Sequence, residues 1–225
     1  MIALNKQTLE FSFPAIHPAA CLGISFKRTL RVPDDGHKYP LPADLGNFPM
    51  FHTEDFTQNI PDTWSSRGGV IIPMYQKEAL WIDFGSMIYL DGRNNREYPC
   101  AVKIGTGKIC AITGHQWRNG LSKNQQDYVV FDQQPWLDGY RIDSQTVRQF
   151  VAMPLGQGYT AEEQTSNESN YGGIQIMVIP MKRNYYDENI SQEEILIHCH
   201  ANVNSLLGLS PGGKISQEIY EDLYG

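Results

Sequence analysis

The pentapeptide Gly208-Leu209-Ser210-Pro211-Gly212 has the G-x-S-x-G spacing of a nucleophile elbow, which would make Ser210 the attacking group of an acyl transfer. Its surroundings oppose that chemistry. An elbow follows a strand and opens a helix, whereas this run follows the strongest helical pattern in the chain. The oxyanion would also need the backbone N–H after the serine, which Pro211 lacks. A helix-terminating Gly-Pro loop accounts for the residues. Overlapping it, Gly208 and Gly213-Lys214 approach a phosphate loop, but Ile215 stands where a Ser or Thr hydroxyl would bind magnesium.

Gly156-Gln157-Gly158-Tyr159-Thr160-Ala161 fits the dinucleotide fingerprint G-x-G-x-x-A and follows a strand-like run ending at Met153. Pro154 separates the two, and a helix capped by Thr160 and Glu163 must end near Ser166, too short for a crossover. No carboxylate closes the next strand-like run, Ile174 to Ile179, to hold a ribose. These residues read as a glycine-rich turn leading into one helical turn.

His198-Cys199-His200 would chelate a metal on a strand. On a helix, residues two apart diverge by about 200°, so the two imidazoles cannot share one ion. The acidic pairs have structural explanations: Asp34-Asp35 in a turn, Glu162-Glu163 at a cap, Glu193-Glu194 in a first helical turn, where the helix dipole favours negative charge. Asp132, Asp138 and Asp143 do not follow a calcium-loop ladder. A Cys110–His115 nucleophilic pair would need the chain to reverse within five residues, with no third orienting group nearby. No cofactor and no metal is therefore expected. Whether His37, His198 or His200 meets a metal ligand from elsewhere in the chain depends on tertiary placement.

What remains is binding chemistry. Gln133-Gln134-Pro135-Trp136-Leu137-Asp138-Gly139-Tyr140 is a turn-rich loop with two aromatics, leading into a strand that carries Arg148 and Gln149. Aromatic and arginine side chains carry most binding energy at interfaces, so Trp136, Asp138, Arg148 and Gln149 are the candidate ligand-binding residues. The bland reading for Trp136 is a plug at one end of the fold, since tryptophan is highly buried on average.

The elements that must position these residues are short strands. From Ile24 to Val32, Ile24, Phe26, Leu30 and Val32 alternate with Ser25, Lys27, Thr29 and Arg31, predicting a strand with one wet face that Pro33 stops. Prolines at 40, 42, 49 and 61 make the 39–61 stretch a long ordered loop, expected to drape over one face. Further strands are predicted at Val70 to Tyr75, Ala79 to Phe84, Cys100 to Ile104, Ile109 to Thr113, Tyr128 to Phe131, Val147 to Met153 and Ile174 to Ile179. Asp91-Gly92 and Gly105-Thr106-Gly107-Lys108 suit hairpin turns. Helices of crossover length do not alternate with these strands, which disfavours a parallel doubly wound sheet. Gln164 to Tyr171 reads as a polar loop, and Asn184 to Asn189 as a connector. Ser191 and Glu194 form a capping box, and Ile195, Cys199, Val203 and Leu206 recur at helical spacing before Gly208, predicting a helix at about 191–207 and a second near Ser216 to Tyr224. The expected fold is mostly β: an antiparallel sandwich or distorted barrel with a helical C-terminal segment at about 191–224, an α+β arrangement being the alternative.

Composition narrows the partners. The 225 residues carry 18 basic and 25 acidic side chains, a net charge of −7, which argues against nucleic acid and against a basic membrane-binding face. No apolar run approaches the roughly 20 residues that span a bilayer. Met1 to Phe13 carries Lys6 and Glu10 and lacks the apolar stretch of a secretory signal, so a cytoplasmic chain is expected. Cys21, Cys100, Cys110 and Cys199 have no C-x-x-C spacing and read as reduced, mostly buried thiols. The length favours one domain over residues 1 to 225.

Several stretches resemble a group of bacterial and fungal proteins to which no activity is attached. They include Arg28-Thr29-Leu30-Arg31-Val32-Pro33-Asp34-Asp35-Gly36, the 74–81 run, the Gln134 to Gly139 run, the 148–156 run and Gly212 to Tyr220. The resemblance spans most of the chain, implies that it forms one unit, and transfers no function. Three classes then stand. The preferred one is a cytoplasmic, non-catalytic interaction or ligand-binding module whose protein or small-molecule partner the sequence does not identify. The second is an enzyme assembled from distant residues among Asp34, His37, Arg148 and Asp138. The third is a homo-oligomer subunit using edge strands or Tyr220 and Tyr224.

Overall fold

The computed structural model describes residues 1–189, except 57, 59, 67, 86–96, 132, 144–145, 161–162 and 164–171, together with residue 219. Three strands open the chain: β1 (Ile2–Asn5), β2 (Thr8–Ser12) and β3 (Cys21–Thr29). The β1–β2 hairpin turns at Lys6-Gln7, with Lys6 at φ 55°, the positive value that a two-residue hairpin demands. Two-residue strands β4 (Phe51–His52) and β5 (Val70–Ile71) pair with each other, flanking a 3-10 turn at Thr53–Phe56 and a single helical turn, α1 (Asp62–Ser65). There follow β6 (Ala79–Phe84), β7 (Cys100–Thr106), β8 (Ile109–Cys110), β9 (Val129–Val130), β10 (Trp136–Leu137), β11 (Gly139–Arg141), β12 (Val147–Val151), β13 (Ile174–Pro180) and a short helix, α2 (Arg183–Asn189).

Among the described residues the larger sheet runs β1-β2-β3-β6-β12-β11, with β10 also on β6; the smaller runs β13-β7-β8, with β9 also on β7. Every ladder is antiparallel. The sheets do not close into a barrel, so the mostly β antiparallel expectation holds and its barrel form does not.

Register lines the apolar side chains into rows. Leu4, Leu9, Ile24 and Phe84 lie side by side across four strands, Phe26, Ile82 and Leu137 form a second row, and Leu80 faces Phe150 in a third. On the smaller sheet Val129, Val102 and Val178 form a row, with Ile104 beside Ile176. These faces meet in one core that includes Phe48, Met50, Tyr98 and Tyr186, with each fully buried Leu or Phe contributing about 2 kcal/mol. Tyr98 donates to Met181 O at 2.9 Å while its ring lies 5.1 Å from His17 and 4.3 Å from Tyr186, joining the 13–20 turn to α2.

Several predicted elements end elsewhere. The strand foreseen to Val32 stops at Thr29, and Leu30 is 63% exposed. Its expected wet face is covered: Ser25 Oγ donates to Asp83 at 3.1 Å and Thr29 Oγ1 to Ala43 O at 2.9 Å, beneath the 43–48 segment that pairs with β3 at Lys27. That segment belongs to the proline-rich stretch, whose Phe48 and Met50 enter the core as the draping loop should. The strand expected at Val70 to Tyr75 keeps only Val70–Ile71, and the connector expected at Asn184 to Asn189 is helical. The Gly107-Lys108 turn does join β7 to β8. Asp91-Gly92, Gln164 to Tyr171, the 191–207 helix, the Ser216 to Tyr224 helix, His198, His200 and the Gly208 motifs lie outside the described residues.

Candidate functional site

A cleft of about 1680 Å³ is lined by the inner face of the larger sheet, through Leu9, Phe11, Phe26, Leu80, Tyr140 and Phe150, by Ile174 and Ile176 of β13, and by Val70 and Ile71 of β5. Strand alternation explains the apolar floor, because Leu9, Phe26, Leu80 and Phe150 belong to the inward rows and Phe11 and Tyr140 share their parity. Around it Ile2, Trp64, Ile142, Leu155 and Tyr159 expose apolar surface. The charged groups at the cleft are Arg31, Asp34, Glu54, Lys77, Asp143 and Arg148, joined by His37 and His52.

The four predicted ligand-binding residues divide. Arg148 is exposed and lines the cleft. Gln149 lines it too but is 7% exposed, and its amide is engaged: Nε2 donates to Leu30 O at 2.8 Å and Oε1 accepts from Val32 N at 2.9 Å. This two-way bond holds residues 30–32 against β12 after β3 has ended. Trp136 is half-buried opposite Asp83 and lies outside the lining, as does Asp138. Asp138 is 2% exposed between β10, which pairs with β6, and β11, which pairs with β12, and burial pushes its carboxyl up to about 7, a rise moderated by its own backbone N–H.

Of the residues considered for an assembled enzyme, Asp34, His37 and Arg148 do share the cleft. His37 Nδ1 lies 3.2 Å from Asp35 Oδ1, while Asp35 also accepts from His37 N at 3.0 Å and from Tyr39 Oη at 2.7 Å. The Tyr39 hydroxyl, foremost, holds the Asp35 carboxyl down at about 2, and burial with that same bond lifts the Tyr39 phenol to about 12. The imidazole is thus oriented by a carboxylate, but among the described residues no serine, threonine or cysteine side chain hydrogen-bonds to it. A nucleophilic triad is not assembled here.

The glycine turn after β12 shows why the dinucleotide reading fails. Glu163 accepts from Gly156 N, from Thr160 N at 3.0 Å and from Thr160 Oγ1 at 2.9 Å, while Glu163 N donates back to Thr160 Oγ1 at 3.2 Å. This is the foreseen capping box, and its carboxylate takes the amides that a pyrophosphate would need. The strands on either side belong to antiparallel ladders. Among the described residues no three His, Cys, Asp or Glu side chains converge as a metal site, and Cys21, Cys100 and Cys110 form no disulfide.

Sequence reasoning missed the cleft itself. Arg31, Trp64, Ile142 and the Leu155–Tyr159 turn are far apart in the chain, and nothing in their local patterns marks them as neighbours. No family model, no curated protein and no solved structure matches the chain.

Proposed function

We propose that the chain is a non-catalytic ligand-binding module whose ligand lies in the cleft between the two sheets. One observation carries this reading: an apolar floor and several exposed apolar side chains gather at a single cleft. Binding sites are concave and mainly apolar with a few polar groups, and surface apolar residues scattered singly would need no explanation. The volume exceeds the roughly 300–1,000 Å³ of drug-sized sites, which favours a long or bulky ligand. Cys21, Cys100 and Cys110, unlinked by disulfides among the described residues, accord with a cytoplasmic location. No helix among the described residues is long and apolar enough to cross a membrane.

Titration with the neutral apolar dye N-phenyl-1-naphthylamine tests the reading. The expected result is saturable, one-to-one fluorescence enhancement, weakened about tenfold in the Trp64→Ser, Leu155→Ser double variant at unchanged Tm. Both positions are more than a third exposed, so the variant should fold. Absence of saturable binding, or binding indifferent to the double substitution, would overturn the proposal.

A further inference from the structure

We infer that the ligand is an amphiphile whose hydrocarbon chain lies on the apolar floor and whose oxyanion head is held by the guanidinium groups of Arg31 and Arg148. This rests on the cleft being a binding site. The cations of β3 are paired: Lys27 Nζ lies 3.2 Å from Asp44 and 3.7 Å from Asp83, and Arg28 Nε lies 3.2 Å from Glu78. Arg31 and Arg148 line the cleft, and neither forms an ion pair among the described residues, although the chain carries 25 carboxylates. The Gln149 clip holds the backbone on both sides of Arg31 against the residue that follows Arg148, and both arginines line the cleft. A planar guanidinium offers paired N–H donors that fit carboxylate and phosphate oxygens.

The carboxylates at the cleft set the charge of the head. Asp143 accepts from Thr146 N at 2.8 Å and Glu54 from Thr53 Oγ1 at 3.4 Å, each serving its own turn, while Asp34 stands three residues from Arg31. With Arg31, Lys77 and Arg148 set against Asp34, Glu54 and Asp143 the lining is close to neutral overall, so the two guanidiniums suit a small oxyanion head and not a polyphosphate. The third lining cation, Lys77, sits in a separate turn at φ 73°, next to β6.

Competition against the same dye distinguishes this inference from the reading beneath it. The competitors are dodecanoate, dodecyl phosphate, dodecan-1-ol and dodecyltrimethylammonium, all below their aggregation limits. Dodecanoate or dodecyl phosphate should displace the dye at least tenfold more tightly than the alcohol, and the cation should compete worst. Whichever anion binds tighter assigns the head to carboxylate or phosphate, and either result supports the inference. In Arg31→Gln and Arg148→Gln the preference for the anions over the alcohol should shrink at least tenfold. Equal displacement by acid and alcohol, or variants that bind the anions as the native chain does, would sink the headgroup assignment while leaving the binding module standing. Failure of the dye itself to bind removes both.

Discussion

Lys103 Nζ and Asp127 Oδ2 meet at 2.6 Å, although the lysine is 1% exposed and belongs to a central strand. Strand alternation turns this side chain away from the row of Val102 and Ile104, and the 117–127 loop covers it there. Its ammonium also donates to Arg118 O and Gly120 O at 2.8 Å each, with the Trp117 ring 5.0 Å away. Three donors meet three acceptors, which is what makes a buried cation tolerable. Lys103→Met removes one partner of a buried pair and leaves two carbonyls unpaired, with an expected loss of about 3 kcal/mol in urea unfolding. Unchanged stability would mean that the loop has an independent anchor.

Gln149 predicts a separable effect, since its amide replaces a ladder that β3 no longer provides. Gln149→Ala strands Leu30 O and Val32 N, and should cost about 1–3 kcal/mol. Hydrogen exchange at Val32 should quicken, and dodecanoate affinity should fall through displacement of Arg31 while the neutral dye binds as before. Full protection of the Val32 amide in the variant would refute the clip.

How much of this was legible in the chain follows from the range of the interactions. Leu80, Ile82 and Phe84 alternate within six residues, so β6 was predicted with its observed bounds. Gly107-Lys108 and the Thr160–Glu163 box are equally local. The β1–β2 hairpin was missed because Lys6-Gln7 lacks turn chemistry, and Lys6 adopts positive φ only under the pairing of its strands. Leu30 alternates correctly yet leaves the sheet, because a side chain 119 residues away captures its carbonyl. The cleft is less legible still, since Trp64, Arg148 and Ile174 meet through sheet packing that no local pattern encodes. Aromatic content led to Trp136, but the apolar surface at the cleft comes from other loops.

Asp138 gives a pH prediction with a definite sign. Its carboxyl is raised from the usual 3.8 to about 7 by burial, so the folded chain retains a proton that the unfolded chain releases. The associated stability is complete below about pH 4 and is lost as pH rises through about 7. Asp138→Asn should flatten this slope and, where the amide fits, stabilise the fold at pH 8 by up to about 4 kcal/mol. Thermal melts of both proteins from pH 4 to 8 check it. Parallel curves would show that the buried group is not the one titrating.

Gly139 tests the junction that carries Asp138 and begins the last strand pair of the larger sheet. It pairs with Gln149, and a Cβ there would lie 2.3 Å from Arg148 O and 2.9 Å from the Arg148 carbonyl carbon. Backbone in a ladder cannot rotate aside as a flexible side chain can, so the strands must separate. Gly139→Ala should therefore cost about 3 kcal/mol or more. Because β12 carries both Arg148 and the Gln149 clip, dodecanoate affinity should fall with stability. Gly156 offers the control: its φ is +78° and a Cβ would meet nothing within 4 Å, so Gly156→Ala should cost only the strain of a positive φ, about 1 kcal/mol. Its anion binding should be retained. Equal losses in the two variants would show that strain at any glycine, rather than the close approach of β11 to β12, sets the geometry of the cleft.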